Sequence, residues 1–250
     1  MKQPAPLPTS SLSLDRIRIV LSHPNHPGNI GAAARAIKTM GLKHLVLVKP
    51  RHFPHPDAAA MASGADDVLA ATRVAATLAE ALKGTVLAVG MTARRRDLSH
   101  PQLPVRDAAQ RVLDATLHGD VAFVFGTETF GLSNEELDLC QLGASIPADP
   151  QYSSLNLAAS VQIAAYEIAQ AAQVWQPQQA SARELATHDA VEAFYAHLER
   201  SMIESGFLNS EKPRRLMTRL RRLFARARLE KEEVNILRGI LASKERKRGK

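Results

Sequence analysis

The stretch Ile17-Arg18-Ile19-Val20-Leu21-Ser22-His23-Pro24-Asn25-His26-Pro27-Gly28-Asn29-Ile30-Gly31-Ala32-Ala33-Ala34-Arg35, followed by His44-Leu45-Val46-Leu47-Val48, decides the fold. Ile17–Leu21 is a short, β-branched run that ends in a His-Pro-Asn-His-Pro-Gly turn, which predicts a strand feeding a loop. Gly31 to Met40 is Ala-rich and helical, and Gly41 closes it. His44–Val48 predicts a second strand. Strand, helix and strand within about 30 residues form the unit from which parallel sheets are built.

The alternation continues along the chain. Ala76–Leu82, Val105–Leu117, Asn134–Cys140 and Leu155–Val174 read as helices. Thr85–Val89, Val121–Phe125 and Ala144–Pro147 read as strands. The strands are near-continuous apolar runs, as expected when helices cover both faces. The fold class is therefore α/β, a mostly parallel sheet with flanking helices. Ligands of such sheets bind in loops at the carboxyl ends of the strands, so the loops after residues 21, 89, 125 and 147 are the places to look.

These loops carry unusual residues. Asn29-Ile30-Gly31-Ala32-Ala33-Ala34-Arg35 offers small side chains that let a helix start approach a ligand or another backbone closely. Arg35 lies one turn after Gly31. Either it presents a guanidinium fork to phosphate, or it is solvated on a tightly packed helix. Gly90-Met91-Thr92-Ala93 leads into Arg94, Arg95 and Arg96, a phosphate contact or a solvated loop. Gly126-Thr127-Glu128-Thr129-Phe130-Gly131-Leu132 sets an acidic residue between glycines, and Ser133 with Glu136 has capping-box spacing. In Ile146-Pro147 through Ser153-Ser154-Leu155-Asn156, a serine suits an N-cap. Asn156 then falls inside the helix, where its amide needs partners.

Other chemistry is excluded. The chain has no P-loop, no dinucleotide-binding glycine turn and no nucleophile elbow. The pairs His23/His26 and His52/His55 lack metal-ligand spacing and a third ligand, so no metal is expected. The single cysteine, Cys140, excludes an internal disulfide and points to a reducing, cytoplasmic setting. No apolar run is long enough to cross a membrane.

Charge divides the chain. Of 250 residues, the 172 before the Trp175 break hold 15 basic and 15 acidic side chains, so the net +7 belongs entirely to the remainder. We expect a disordered tail at 1–13, a catalytic domain at 14–174, a linker at 175–188 and a basic helical extension at 189–250. Within the extension, Leu216, Leu220, Leu223 and Ala227 form an apolar stripe, while Arg215, Arg219, Arg222 and Arg226 form a second stripe at the same spacing. An amphipathic helix presenting an arginine row fits RNA phosphate, and a solvated bundle face is the plainer alternative.

Together, Asn29-x-Gly31-x-x-x-Arg35, Phe125-Gly126-x-Glu128-x-x-Gly131-Leu132 and Ile146-Pro147 leading to Ser154-Leu155-Asn156 resemble the three motifs of the SPOUT (TrmH-like) RNA 2′-O-methyltransferases. The tail segments Phe194–Glu199, Leu220–Ala227 and Asn235–Leu241 are similar to the helical extension of the branch that methylates the pyrimidine at position 32 of the tRNA anticodon loop. The resemblance implies S-adenosylmethionine as donor, a trefoil knot at the end of the catalytic domain, a homodimer and tRNA as partner. It implies Arg35 at the 2′-hydroxyl, with Asn29, Glu128, Ser154 and Asn156 organising the site. Gly90, Met91, Thr92, Gly126, Thr127, Glu128, Ile146, Ser154 and Leu155 would lie at the cofactor, and Arg94–Arg96 with the C-terminal arginine row at RNA. Thr127 departs from the pattern, because relatives often carry arginine there. A related enzyme of another tRNA position or of rRNA, or a non-catalytic RNA-binding factor of the same fold, is the alternative.

Overall fold

The computed structural model describes residues 14–93, 101–175, 184–209 and 215–248. The expected tail, most of the expected linker and Arg94–Arg96 lie outside the described residues.

The sheet has seven strands: β1 (Ile17–Ser22), β2 (His44–Val48), β3 (Arg73–Ala75), β4 (Thr85–Met91), β5 (Gln102–Pro104), β6 (Asp120–Phe125) and β7 (Leu142–Ser145). Their order across the sheet is β3-β2-β1-β6-β4-β7-β5, and every neighbouring pair is parallel. The central strands are apolar because both faces are covered. Ile17, Ile19 and Leu21 of β1 face one side, with Phe123 and Phe125 of β6, and Val20, Ala122 and Val124 face the other.

The first face is covered by α1 (Pro27–Thr39), α5 (Val105–Thr116) and α7 (Leu157–Val174). Two short helices, α2 (Pro56–Ala62) and α3 (Asp66–Ala70), buttress α1. The second face is covered by α4 (Leu78–Leu82) and α6 (Asn134–Asp138). Ser133 caps α6 in a reciprocal capping box with Glu136, as the spacing predicts.

Gly31 shows what the small-residue stripe is for. A Cβ there would stand 2.0 Å from the Ala58 carbonyl oxygen. The stripe thus lets α1 meet α2 backbone to backbone, and another segment of chain, not a ligand, occupies the approach.

Three C-terminal helices follow: α8 (His188–Glu204), α9 (Leu216–Ala227) and α10 (Lys231–Arg248). They share a small core of Ala186, Phe194, Tyr195 and Val234, with Phe224 edge-on to Phe194 at 5.0 Å. Arg221 bridges α9 to α8. It donates to both carboxylate oxygens of Glu192, at 2.5 and 2.7 Å, and lies over the Tyr195 ring at 4.5 Å. The helices also touch the sheet layer. Asp189 accepts the Gly84 N–H at 3.0 Å, and the Thr218 hydroxyl donates to Asp138 at 3.1 Å.

Several boundaries differ from the expectation. β7 ends at Ser145, not Pro147, because its pairing with β4 runs through Leu142, Gly143 and Ala144 and its pairing with β5 stops at Ser145. α4 begins at Leu78, since the Thr77 hydroxyl caps it by accepting the Glu80 N–H. α7 begins at Leu157, because Asn156 itself is the N-cap.

Candidate active site

The carboxyl ends of β4, β6 and β7 open into one cavity of about 270 Å³. Its walls come from three segments: Met91–Ala93 after β4, the turn 125–132 after β6, and Ile146 with Ser153–Leu155 after β7. Leu157 and Ser160 of α7 close it. Backbone polar groups thus stand beside apolar side chains, a mixture typical of small-molecule sites.

The turn after β6 is held by its own chain. Thr127 N donates to Gly131 O at 3.2 Å and Gly131 N to Thr127 O at 2.9 Å. The Thr127 hydroxyl also accepts the Phe130 N–H at 3.2 Å, so Thr127 ties the turn together. Gly126 makes the fold-back possible. A Cβ on it would lie 2.0 Å from the Gly131 carbonyl carbon.

A directional hydrogen-bond chain borders the cavity. The α7 start supplies two N–H donors, from Ala158 and Ala159, and Asn156 Oδ1 accepts both, at 2.9 and 3.3 Å. The Asn156 amide nitrogen is therefore left to donate, and it does so to Asn29 Oδ1 at 3.0 Å. Asn29 in turn donates Nδ2 to Glu128 Oε1 at 3.0 Å. Donors at one end and a carboxylate acceptor at the other set the orientation of both amides. Glu128 also accepts the backbone N–H groups of Asn25, at 3.0 Å, and His26, at 3.1 Å. Burial pushes the Glu128 carboxyl up, but the Asn29 amide and these N–H groups outweigh it and hold the group below the usual carboxylate range. The chain is consequently intact at neutral pH, and it yields only as pH falls through that lowered value.

The sequence-predicted residues separate as follows. Met91, Thr92, Gly126, Thr127, Glu128, Ile146, Ser154 and Leu155 all line the cavity. Asn29 and Asn156 join it through the chain above. Gly90 does not line it. Paired between β6 and β7, it faces Leu137, Leu132 and Cys140 on the far side of the sheet. Asn156 is corrected from a mid-helix residue to the cap. Arg35 is exposed on α1 and outside the cavity. It lies six residues after Asn29, which on an α-helix is about 9 Å along the axis and about 120° around it. The backbone N–H groups of Asn25 and His26 were missed, and nothing in their side chains could have announced a role carried by amides. Phe130, 85% exposed at the cavity rim, was missed as well.

Arg215, Arg219, Arg222 and Arg226 are all exposed, and no described carboxylate pairs with them, whereas Arg221 beside them is tied inward. Among the described residues no group of side chains could hold a metal ion, and no helix is long and apolar enough to cross a membrane.

A parallel α/β sheet with its cavity over β4, β6 and β7, an Asn–Asn–Glu chain at its border and an arginine-faced helical tail define a class. The chain belongs to the SpoU rRNA methylase family, whose model matches residues 16–166, and the model for the C-terminal domain of the tRNA methyltransferase TrmJ matches residues 189–250. It is 51% identical over 242 residues to the tRNA (cytidine/uridine/adenosine-2′-O-)-methyltransferase TrmJ of Pseudomonas aeruginosa (strain UCBPP-PA14), covering 91% of this chain and 93% of that one. It is 45% identical to the tRNA (cytidine/uridine-2′-O-)-methyltransferase TrmJ of Escherichia coli (strain K12), covering 92% of this chain and 95% of that one. The crystal structure of TrmJ from Z. mobilis ZM4 superposes with a TM-score of 0.81 at 33% identity, over 91% of this chain and 98% of that one.

Proposed function

We propose that this protein transfers the methyl group of S-adenosylmethionine to a ribose 2′-hydroxyl of tRNA, at the pyrimidine in position 32 of the anticodon loop. The observation that carries the reading is the Glu128–Asn29–Asn156 chain at the border of the cavity, in a chain whose tail matches the TrmJ C-terminal domain. The cavity residues suit the donor. Phe125, Leu155 and Leu157 offer apolar surface to an adenine ring, the turn 126–131 offers backbone groups, and the ionised Glu128 puts a negative charge at the wall, which suits a cationic ligand.

The bound donor supplies a methyl group already activated by a sulfonium. The protein's share is to position the 2′-oxygen and stabilise the charge that develops on it. Asn29 and Asn156, locked by their neighbours, cost no reorganisation when RNA arrives. Arg35 serves as a cation for the developing oxyanion and the adjacent phosphate, since a guanidinium is a poor base. Its place on α1, turned away from Asn29, supports a homodimer in which Arg35 of one copy completes the site of the other. Tyr166 and Val174, 48% and 78% exposed on α7, supply apolar surface for such an interface. The free arginines of the α9 row grip the tRNA body, and Arg94–Arg96, which follow Ala93 in sequence, add to this. The cytoplasm, where tRNA is, is the proposed location.

Incubation with tRNA and methyl-labelled S-adenosylmethionine tests the reading. Label should enter tRNA with the wild type, and Arg35→Ala should lose at least about a hundredfold in turnover while calorimetry shows unchanged donor affinity. Normal turnover in Arg35→Ala would remove Arg35 from the mechanism. Donor binding without any transfer would make the protein an RNA-binding factor.

A further inference from the structure

The loops after β1 and β2 form a ledge beside the cavity that the reading above does not use. His23 N donates to Val48 O at 2.8 Å, Arg51 N to Pro24 O at 3.1 Å, and Lys49 N to Ala75 O at 3.1 Å. The ends of three adjacent strands are thereby stitched together through backbone. His23 and Lys49 both adopt positive φ, 52° and 43°. Non-glycine residues rarely do so, and such backbone persists where surrounding structure imposes it, often at functional sites.

The side chains on this ledge share one chemistry. Lys49, Arg51, His52 and His55 are exposed, and neither Lys49 nor Arg51 has a side-chain partner among the described residues. His55 Nδ1 accepts the Asp57 N–H at 3.1 Å as the cap of α2, so a neutral His55 ring carries its proton on Nε2, a donor that the cap does not use. Nearby carboxylates are mostly engaged. Glu128 takes Asn25, His26 and Asn29, and Glu136 takes the Ser22 hydroxyl and the Ser133 N–H at 2.7 Å, while Asp57 stands 3.7 Å from His55. Residues 1–172 carry equal numbers of acidic and basic side chains, so a ledge with two free cations is a local concentration, not a sample of a general excess. Its place is also specific. The backbone of Asn25 and His26 is bonded to Glu128, and Glu128 lines the cavity.

We infer that this ledge, through Lys49, Arg51 and His55, is a second phosphate-binding surface that holds the RNA strand flanking the target nucleotide. The inference rests on the tRNA reading above. A row of arginines on α9 grips the body of a tRNA without selecting one nucleotide, whereas phosphate contacts next to the cavity set the register of the strand on the protein. They also offset the cost of drawing a nucleotide out of its stack.

The experiment uses the full chain and an unmodified tRNA transcript, with filter binding across a range of KCl concentrations. The double variant Lys49→Gln/Arg51→Gln should weaken tRNA binding about tenfold at physiological salt and reduce the slope of log K against log salt by about 1.4, two single-strand contacts. Its affinity for S-adenosylmethionine should match the wild type. Because Lys49 sits at strained φ, Arg51→Gln alone is the second variant, and it should give about half the change in slope. Arg219→Gln/Arg222→Gln should lower the slope independently and additively. Wild-type binding and slope in both ledge variants would overturn the inference while leaving the tRNA reading intact. A wild-type protein that binds no tRNA would overturn both.

Discussion

Replacing Asn156 by alanine removes three hydrogen bonds from one position, and the structure allows their worth to be separated. Two of them cap α7, from Ala158 and Ala159, and losing a cap of this kind costs about 1 kcal/mol. The third satisfies Asn29 Oδ1. Asn156 is exposed, so water can replace it there, and this loss is nearer 0.5 kcal/mol. The sum of about 1.5 kcal/mol lowers the melting temperature by roughly 3–6 °C in a chain of this size. Asn156→Asp separates the parts. A carboxylate keeps the cap and gains from the helix N-terminus, but it cannot donate to Asn29, whose Nδ2 is committed to Glu128. The aspartate variant should therefore melt within about 2 °C of the wild type and still lose methyl transfer, because Asn29 is released. Circular-dichroism melts and labelled-methyl transfer on the wild type, both variants and Asn29→Ala complete the comparison. If Asn156→Asp keeps full turnover, or if Asn156→Ala and Asn29→Ala are additive within about 0.3 kcal/mol, the chain is not a functional unit and the reasoning fails.

Gly126→Ala should be severe. Its Cβ would meet backbone of Gly131 at 2.0 Å, so the turn must open, at about 2 kcal/mol or more. Calorimetry should show donor affinity reduced at least tenfold, and unchanged affinity would contradict the account of the turn. Burial holds His188 below the ordinary histidine value of 6.5, opposed by Glu192, the Leu139 carbonyl and Asp189. The folded state disfavours the imidazolium, so stability should fall as pH drops below about 6.5. Melting curves should show this decline, and His188→Gln should flatten it. Cys140 is fully buried, and its thiol is pushed far up by burial and by the Glu136 charge. Thiol reagents should leave it unmodified in the native protein and label it after denaturation, and rapid native labelling would mean that the β4–α6 region opens.

The central strands were legible in the sequence because burial on both faces writes them as apolar runs. The edge strands β3 and β5 were not, and the reason is physical. Arg73 and Val74 are exposed, and Gln102-Leu103-Pro104 is only partly covered, so neither carries a hydrophobic pattern. Helices α2 and α3 are too short for periodicity to mark them. Asn156 was misplaced because the apolar run that marks the helix in the sequence starts at Leu155, two residues before the helix itself. Only Leu157 is buried, while Leu155 stays 39% exposed at the cavity. The loop residues that line the cavity were singled out in the sequence by their type and order. Their roles needed geometry. Gly31 is small for the sake of Ala58, Thr127 is bound to its own turn, and Arg35 is exposed outside the cavity of its own chain.

The central claim is that the neutral sheet domain methylates a ribose which the basic helices help to present. Mass-spectrometric mapping of tRNA treated with this protein and S-adenosylmethionine tests it most directly. The account predicts one new 2′-O-methyl group on the pyrimidine at position 32, absent when Arg35 is alanine. Methylation of a base, a methyl group at another nucleotide, or no methyl group at all would contradict it.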